Sequence, residues 1–250
     1  MPTVPDNAHL DARIDWRSAD DAAHWIQTAV DTIAGALARD LDAQPRALLL
    51  LSGGGTPGPV HRALADVALD WSRVDVSLVD DRWVPADDAA SNARLARETL
   101  LHGRAAAARF LPLVPAIDPA EDTADAMTAA VDAANARWRE QGLVPAIAVL
   151  GMGDDGHTAS LFPGARGVDH ALATPLPYAA IDAHGCPGAG TLPLRISLTA
   201  AGLAAARQRL LLLRGDTKRE VLARAAAPGP VAQYPVRAAF ADTLDVLWCA

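Results

Sequence analysis

The sequence predicts an α/β fold, an open and mostly parallel sheet with helices on both faces. Three observations carry this reading. Short apolar runs alternate with amphipathic stretches along most of the chain, the pattern of successive βα units. Glycine-rich segments follow several of the runs, where an open sheet places its binding loops. No internal repeat, low-complexity tract or flexible linker breaks the alternation, so residues 1–250 read as a single α/β domain.

Taken in order, Ser18 is the expected cap of a long helix, because Trp25, Ile26, Ala29, Val30, Ile33 and Leu37 recur at helical spacing. Ala47-Leu48-Leu49-Leu50-Leu51 is an apolar run of strand length. Ser52-Gly53-Gly54-Gly55-Thr56-Pro57 leads from it into a helix through Val60, Leu64 and Val67. A strand follows over Val74-Asp75-Val76-Ser77-Leu78-Val79, and Ser91 is placed to cap a helix through Leu95 and Leu100. The next helix runs from about Pro119, a residue suited to a first helical turn, to Gln141. Ala146-Ile147-Ala148-Val149-Leu150 reads as a buried strand. Between Gly164 and Thr191 the chain is richer in Pro and Gly, which suggests loops around a strand ending near Ile181. Leu192 to Leu198 and Leu210 to Leu213 read as strands, Asp216 to Ala226 as a helix and Thr243 to Trp248 as a final strand.

Composition removes several classes of function. With 51% hydrophobic and 21% charged residues the chain is an ordinary globular protein. A formal charge of -8 lacks the basic balance of a nucleic-acid-binding protein, so an anionic ligand would have to meet cations and backbone amides gathered locally. Cys186 and Cys249 form no C-x-x-C pair, which argues against a disulfide framework or a zinc site and fits a reducing compartment. No apolar run reaches the roughly 18 residues of a membrane span. Met1 to Asn7 lack a basic segment followed by an apolar core. The expectation is a cytoplasmic protein, a monomer or small homo-oligomer, with no nucleic-acid or membrane partner.

The candidate chemistry sits after the apolar runs. In Ser52-Gly53-Gly54-Gly55-Thr56-Pro57, successive amides ahead of a helix form an anion cradle, or else a plain turn. In Asp80-Asp81-Arg82-Trp83-Val84-Pro85, Arg82 either grips a phosphate or carboxylate or pairs with Asp80 or Asp81. Asn92 is a possible cap or turn residue. Gly151-Met152-Gly153-Asp154-Asp155-Gly156-His157 brings glycines, two acids and a histidine to one strand end. Gly151, Gly153 and Gly156 spell G-x-G-x-x-G, with Asp182 in the place of a ribose-binding acid. Pro163-Gly164, however, interrupt the helix that a dinucleotide site requires. His157 therefore reads as a general base whose ring Asp154 or Asp155 orients; no compact set of metal-ligand residues accompanies it. Ser160 lies in no G-x-S-x-G elbow and reads as a packing or capping residue. Arg195 and Lys218 are further cations, each either ligand-binding or a solvated surface charge.

As an ordered series these segments resemble the 6-phosphogluconolactonases. The matching blocks are Ser52 to Pro57, Asp80 to Pro85, Ser91-Asn92, Gly151 to Pro163, Arg195-Ile196-Ser197-Leu198 and Gly215-Asp216-Thr217-Lys218. The resemblance implies a Rossmann-like sheet shared with glucosamine-6-phosphate deaminases and ribose-5-phosphate isomerase. It implies hydrolysis of 6-phospho-D-glucono-1,5-lactone to 6-phospho-D-gluconate in the oxidative pentose phosphate pathway, with no cofactor and no metal. His157 would be the base and Asp155 its orienting carboxylate, since the family motif has the acid at that position. Ser52, Gly53, Gly54, Thr56, Asp80, Arg82, Asn92, Gly153, Arg195 and Lys218 would meet the substrate. Among them Arg82, Arg195, Lys218 and the amides around Gly53 and Gly54 would hold the phosphate.

Four positions depart from the family pattern: Gly55 where Ser is common, Asp81 where Glu is common, Ser197 for a frequent Thr and Ala146 for a frequent Asp. The shorter Asp81 leaves the orientation of Arg82 open. The alternatives are a glucosamine-6-phosphate deaminase-like isomerase and a non-catalytic sugar-phosphate sensor. Leu161-Phe162 stand where the deaminase would need further acid–base groups, and no basic helix-turn-helix segment precedes residue 47.

Overall fold

The computed structural model describes residues 11–117, 123–142 and 144–250. Its strands and helices in chain order are β1 (Ile14–Ser18), α1 (Ala22–Ala43), β2 (Ala47–Leu51), α2 (Gly58–Leu64), β3 (Val74–Leu78), β4 (Asp80–Arg82), α3 (Asn92–Thr99), β5 (Arg109–Phe110) and α4 (Thr123–Gln141). They continue as β6 (Pro145–Leu150), α5 (Val168–Ala173), β7 (Tyr178–Asp182), β8 (Leu194–Leu198), α6 (Ala200–Ala205), β9 (Arg209–Arg214), α7 (Asp216–Ala226) and β10 (Leu244–Cys249).

Seven strands form a parallel sheet in the order β1-β10-β9-β6-β2-β3-β5, and β4-β8-β7 form a small antiparallel sheet. β2 and β6 are buried at every residue, which is why they read as unbroken apolar runs; β3 is buried throughout as well, although Asp75 and Ser77 alternate with its apolar residues. α1 covers the sheet with Trp25, Ala29, Val30, Ile33 and Leu37, the stripe its sequence period marks. From the centre of the sheet β2 leads onward to β3 on one side, and β6 leads toward β9 on the other. The crevice beyond the carboxyl ends of two such strands is where open α/β sheets bind ligands.

Several elements differ from the sequence expectation. Ser18 ends β1 instead of capping α1; the cap is Asp21, whose carboxylate accepts the His24 amide. β1 escapes the apolar pattern because it is an edge strand and exposes Asp15 and Ser18. β4, β5, α5 and α6 have between two and six residues each, too few for a period to register. Val67 lies beyond the end of α2, and Val79 beyond β3. Ser91 does cap α3, accepting the Ala93 and Arg94 amides. Pro119 lies outside the described residues, of which α4 begins at Thr123. No helix among the described residues is long and apolar enough to cross a membrane.

Candidate active site

Beyond β6 the chain folds back on itself through short-range hydrogen bonds. The Gly153 amide donates to the His157 carbonyl at 2.9 Å, the Gly156 amide to the Gly153 carbonyl at 3.0 Å, and Thr158 Oγ1 to the Gly151 carbonyl at 2.8 Å. The loop places Asp155 so that one oxygen, Oδ1, faces both the His157 amide at 3.0 Å and ring Nδ1 at 2.6 Å. Partial burial works to raise the Asp155 carboxyl, but the hydrogen bonds and charge of His157 outweigh it and hold the group below its usual range. An ionised Asp155 fixes the proton on Nδ1 and leaves the Nε2 lone pair for chemistry. The ring also packs on Phe162, with centroids 4.2 Å apart.

Gly153 lets the loop close on that ring, since a Cβ there would stand 2.2 Å from His157 Nδ1 and Cε1. No helix opens from the three glycines of this loop; the next helix is α5 at Val168. Asp182 pairs with Arg166 and His184, so neither half of a dinucleotide site is assembled.

His157 lines a cavity of about 250 Å³ at the carboxyl ends of β2, β6 and β9. One wall is a hydrogen-bonded chain. Arg82 Nη1 donates to the Ala90 carbonyl at 2.9 Å and to Asn92 Oδ1 at 2.6 Å, while Asn92 Nδ2 donates to the Asp80 carbonyl at 2.8 Å. Ser160 Oγ donates to Asp80 Oδ2 at 2.5 Å, and Ser197 Oγ accepts the Ser160 amide at 3.0 Å. Arg195 faces Arg82 in the β4–β8 register and gives two nitrogens to the Leu192 and Ala189 carbonyls. Burial works against its charge and the nearby Asp80 carboxylate supports it. Ser52 Oγ is buried and has no hydrogen-bond partner among the described residues, on the loop that carries Gly53, Gly54 and Thr56. Lys218 Nζ meets Asp154 Oδ1 at 2.8 Å.

The cavity thus brings together Ser52, Gly53, Gly54, Thr56, Asp80, Arg82, Asn92, His157, Arg195 and Lys218, contributed by segments up to 166 residues apart. Asp155 and Gly153 stand behind His157 and do not line it. Asp81 points away to the start of α3, where its carboxylate accepts the Asn92 and Ala93 amides; burial pushes it up to about 6. The Arg82 guanidinium is therefore oriented by Asn92 and Ala90, while Asp81 Oδ1 accepts the Arg82 and Asn92 amides and holds the backbone that carries both. Sequence reasoning passed over Gly188, where a Cβ would stand 2.9 Å from Asp155 Oδ2 and 3.1 Å from the His157 ring, and Arg214 at the end of β9. The only sequence signals were the Pro187-Gly188 turn and a cation one residue before the Gly215-Asp216-Thr217-Lys218 block.

This sheet, with an aspartate–histidine pair and a glycine loop meeting at its switch point, defines a class. The chain belongs to the family of glucosamine-6-phosphate isomerases/6-phosphogluconolactonase, whose model matches residues 20–248. Within it, a curated 6-phosphogluconolactonase of Xylella fastidiosa is 45% identical over 250 residues, covering 99% of this chain and 100% of its own. The crystal structure of a 6-phosphogluconolactonase from Shewanella baltica OS155 matches with a TM-score of 0.85 at 34% identity, covering 96% of this chain and 100% of that one. A monomeric glucosamine-6-phosphate deaminase shares the fold, with a TM-score of 0.72 at 17% identity over 94% of this chain and 96% of its own.

Proposed function

We propose that this protein hydrolyses 6-phospho-D-glucono-1,5-lactone to 6-phospho-D-gluconate, the lactonase step of the oxidative pentose phosphate pathway in the cytoplasm. One observation carries the reading: a histidine whose Nδ1 is held by a carboxylate at 2.6 Å lines a cavity furnished with cations. The names of the full-length relatives support the same substrate. The cavity draws on loops after β2, β6 and β9, so the chain acts as one functional unit.

In the proposed mechanism His157 Nε2 takes a proton from water as the water oxygen attacks the C1 carbonyl. The tetrahedral intermediate collapses with cleavage of the bond from C1 to the ring oxygen, and the imidazolium returns the proton to that oxygen. Asp155 keeps the ring in the required tautomer and stabilises its charged form. Such general acid–base assistance contributes about 10²–10⁴ in rate. Arg82, Arg195, Lys218 and the loop Ser52 to Thr56 hold the phosphate, whose charge is roughly -1.5 to -2, and so fix C1 against the base. Asp80 and Asn92 orient Arg82 and meet the substrate's polar edge.

The test is initial-rate hydrolysis of freshly generated lactone, measured against its spontaneous hydrolysis, with ammonia release from glucosamine 6-phosphate assayed in parallel. His157→Ala should lower kcat by about 10²–10⁴ with a smaller change in KM. Hydrolysis by the variant at the parent rate would remove His157 from the mechanism. Ammonia release without lactone turnover would favour the deaminase alternative.

A further inference from the structure

We propose that Arg214 is a further phosphate-binding residue of this site, and that it sets the preference for a phosphorylated over an unphosphorylated lactone. The inference rests on the lactonase reading for its substrate, and on the geometry of the four cations that line the cavity for its choice of residue.

Three of those cations are already engaged. Arg82 gives one nitrogen, Nη1, to both Asn92 and Ala90, and Arg195 gives two of its nitrogens to carbonyls. Lys218 is paired with Asp154 at 2.8 Å, an acid 73% exposed at the rim of the catalytic loop. Arg214 differs. It closes β9, lines the same cavity, and among the described residues its guanidinium has neither a hydrogen bond nor a carboxylate partner. Its neighbour is the Trp25 ring, 5.9 Å from the guanidinium carbon. Trp25 is itself held by a hydrogen bond from its indole nitrogen to the Leu247 carbonyl at 3.0 Å. An aromatic face supports the alkyl stem and the positive charge without occupying the planar fork of donors.

A free guanidinium beside a lysine already neutralised by a carboxylate is matched to an incoming phosphate. The substrate's phosphate is close to a dianion and accepts two parallel hydrogen bonds from one arginine. The chain as a whole carries -8, so attraction for such a group comes from the cations gathered at the cavity, to which the exposed Arg214 adds a fork of donors not already engaged. An unphosphorylated lactone has no group to meet this fork.

The test compares Arg214→Gln, Arg214→Lys and, as a control, Arg104→Gln, which removes the same charge from outside the cavity. Two quantities are read: KM and kcat for 6-phosphogluconolactone, and the dissociation constant of inorganic phosphate by calorimetry. Arg214→Gln should raise KM about 10- to 100-fold and weaken phosphate binding by a similar factor, with a smaller effect on kcat. Arg214→Lys should lose less, because it keeps the charge and forfeits only the fork. Arg104→Gln should stay within about twofold of the parent in both readouts. The assignment is overturned if Arg214→Gln binds phosphate as the parent does, if the lactone is turned over with an unaltered KM, or if Arg104→Gln loses as much. Weakened phosphate binding in a protein that turns over no lactone would keep Arg214 as an anion ligand and remove the lactonase reading instead.

Discussion

At the scale of single residues, the candidate base depends on one oxygen. Asp155 Oδ1 receives both the amide and the ring nitrogen of His157, so the side chain is steered by its own backbone. Asp155→Asn keeps the size of the group and removes the charge that stabilises the imidazolium. Its kcat should fall by about 10²–10⁴ with KM changing far less; a kcat within about twofold of the parent would show that orientation of the ring does not require the carboxylate. Gly153→Ala tests the same contact sterically. The added carbon would stand 2.2 Å from the ring and 2.7 Å from Asp155 Oδ1, so the imidazole must turn away. Activity should drop at least about 10²-fold, the cost of misplacing a reacting group, while the melting temperature moves by only a few degrees. An acid partner for His157 was legible in the sequence because Asp154 and Asp155 lie within three residues of it; the resemblance favoured Asp155, which the structure places on Nδ1. The contact of Ser160 with Asp80 was not legible, because 80 residues separate them and nothing local marks a serine as the donor to a distant carboxylate.

At the scale of elements, α2 and α3 share a buried histidine. His61 Nδ1 lies 3.3 Å from Thr99 Oγ1, Nε2 has no partner among the described residues, and burial pulls the pKa of the ring down to about 4. The folded value lies below the unfolded one of about 6.5. Above that pH both states are neutral and the group contributes nothing to the pH dependence. As pH falls from about 6.5 toward 4 the unfolded chain takes up a proton that the fold refuses, and stability declines by roughly 3 kcal/mol in total. Denaturant melts across that window should show the decline, and His61→Gln should remove most of it. Equal slopes in parent and variant would mean that other groups control acid unfolding. Helix starts were readable where the cap is a serine beside an apolar period, as at Ser91, and misread at Ser18 because a short edge strand lies before the helix. Of the antiparallel trio β4-β8-β7, strands at β7 and β8 were readable, and β4 was not because it has only three residues.

At the scale of the whole molecule, opposing fields act on an anionic substrate. The chain carries -8 overall, while four cations and the Asp80 carboxylate line the cavity. Distance decides between them. At about 0.1 M salt the Debye length is roughly 10 Å, so most surface carboxylates are already screened and the cavity cations are not. Raising salt from about 0.1 to 1 M shortens that length to roughly 3 Å and should raise KM several-fold with little change in kcat. A KM that is flat or falls over this range would mean that repulsion by the outer surface governs encounter.

What the sequence by itself determined is the alternation of strands and helices and the strand ends that carry the candidate chemistry. It also narrowed the partner of His157 to Asp154 or Asp155, with Asp155 chosen by the family resemblance. These depend on hydrophobic period, turn residues and contacts within a few positions, all of which a linear string displays. The tertiary structure decided which loops meet. It set Arg82 against Asn92 rather than Asp81, paired Lys218 with Asp154, placed Gly188 beside His157, and left Arg214 uncommitted at the cavity wall. Those contacts follow from the order of strands in the sheet, which joins segments far apart in the chain and which no local pattern encodes.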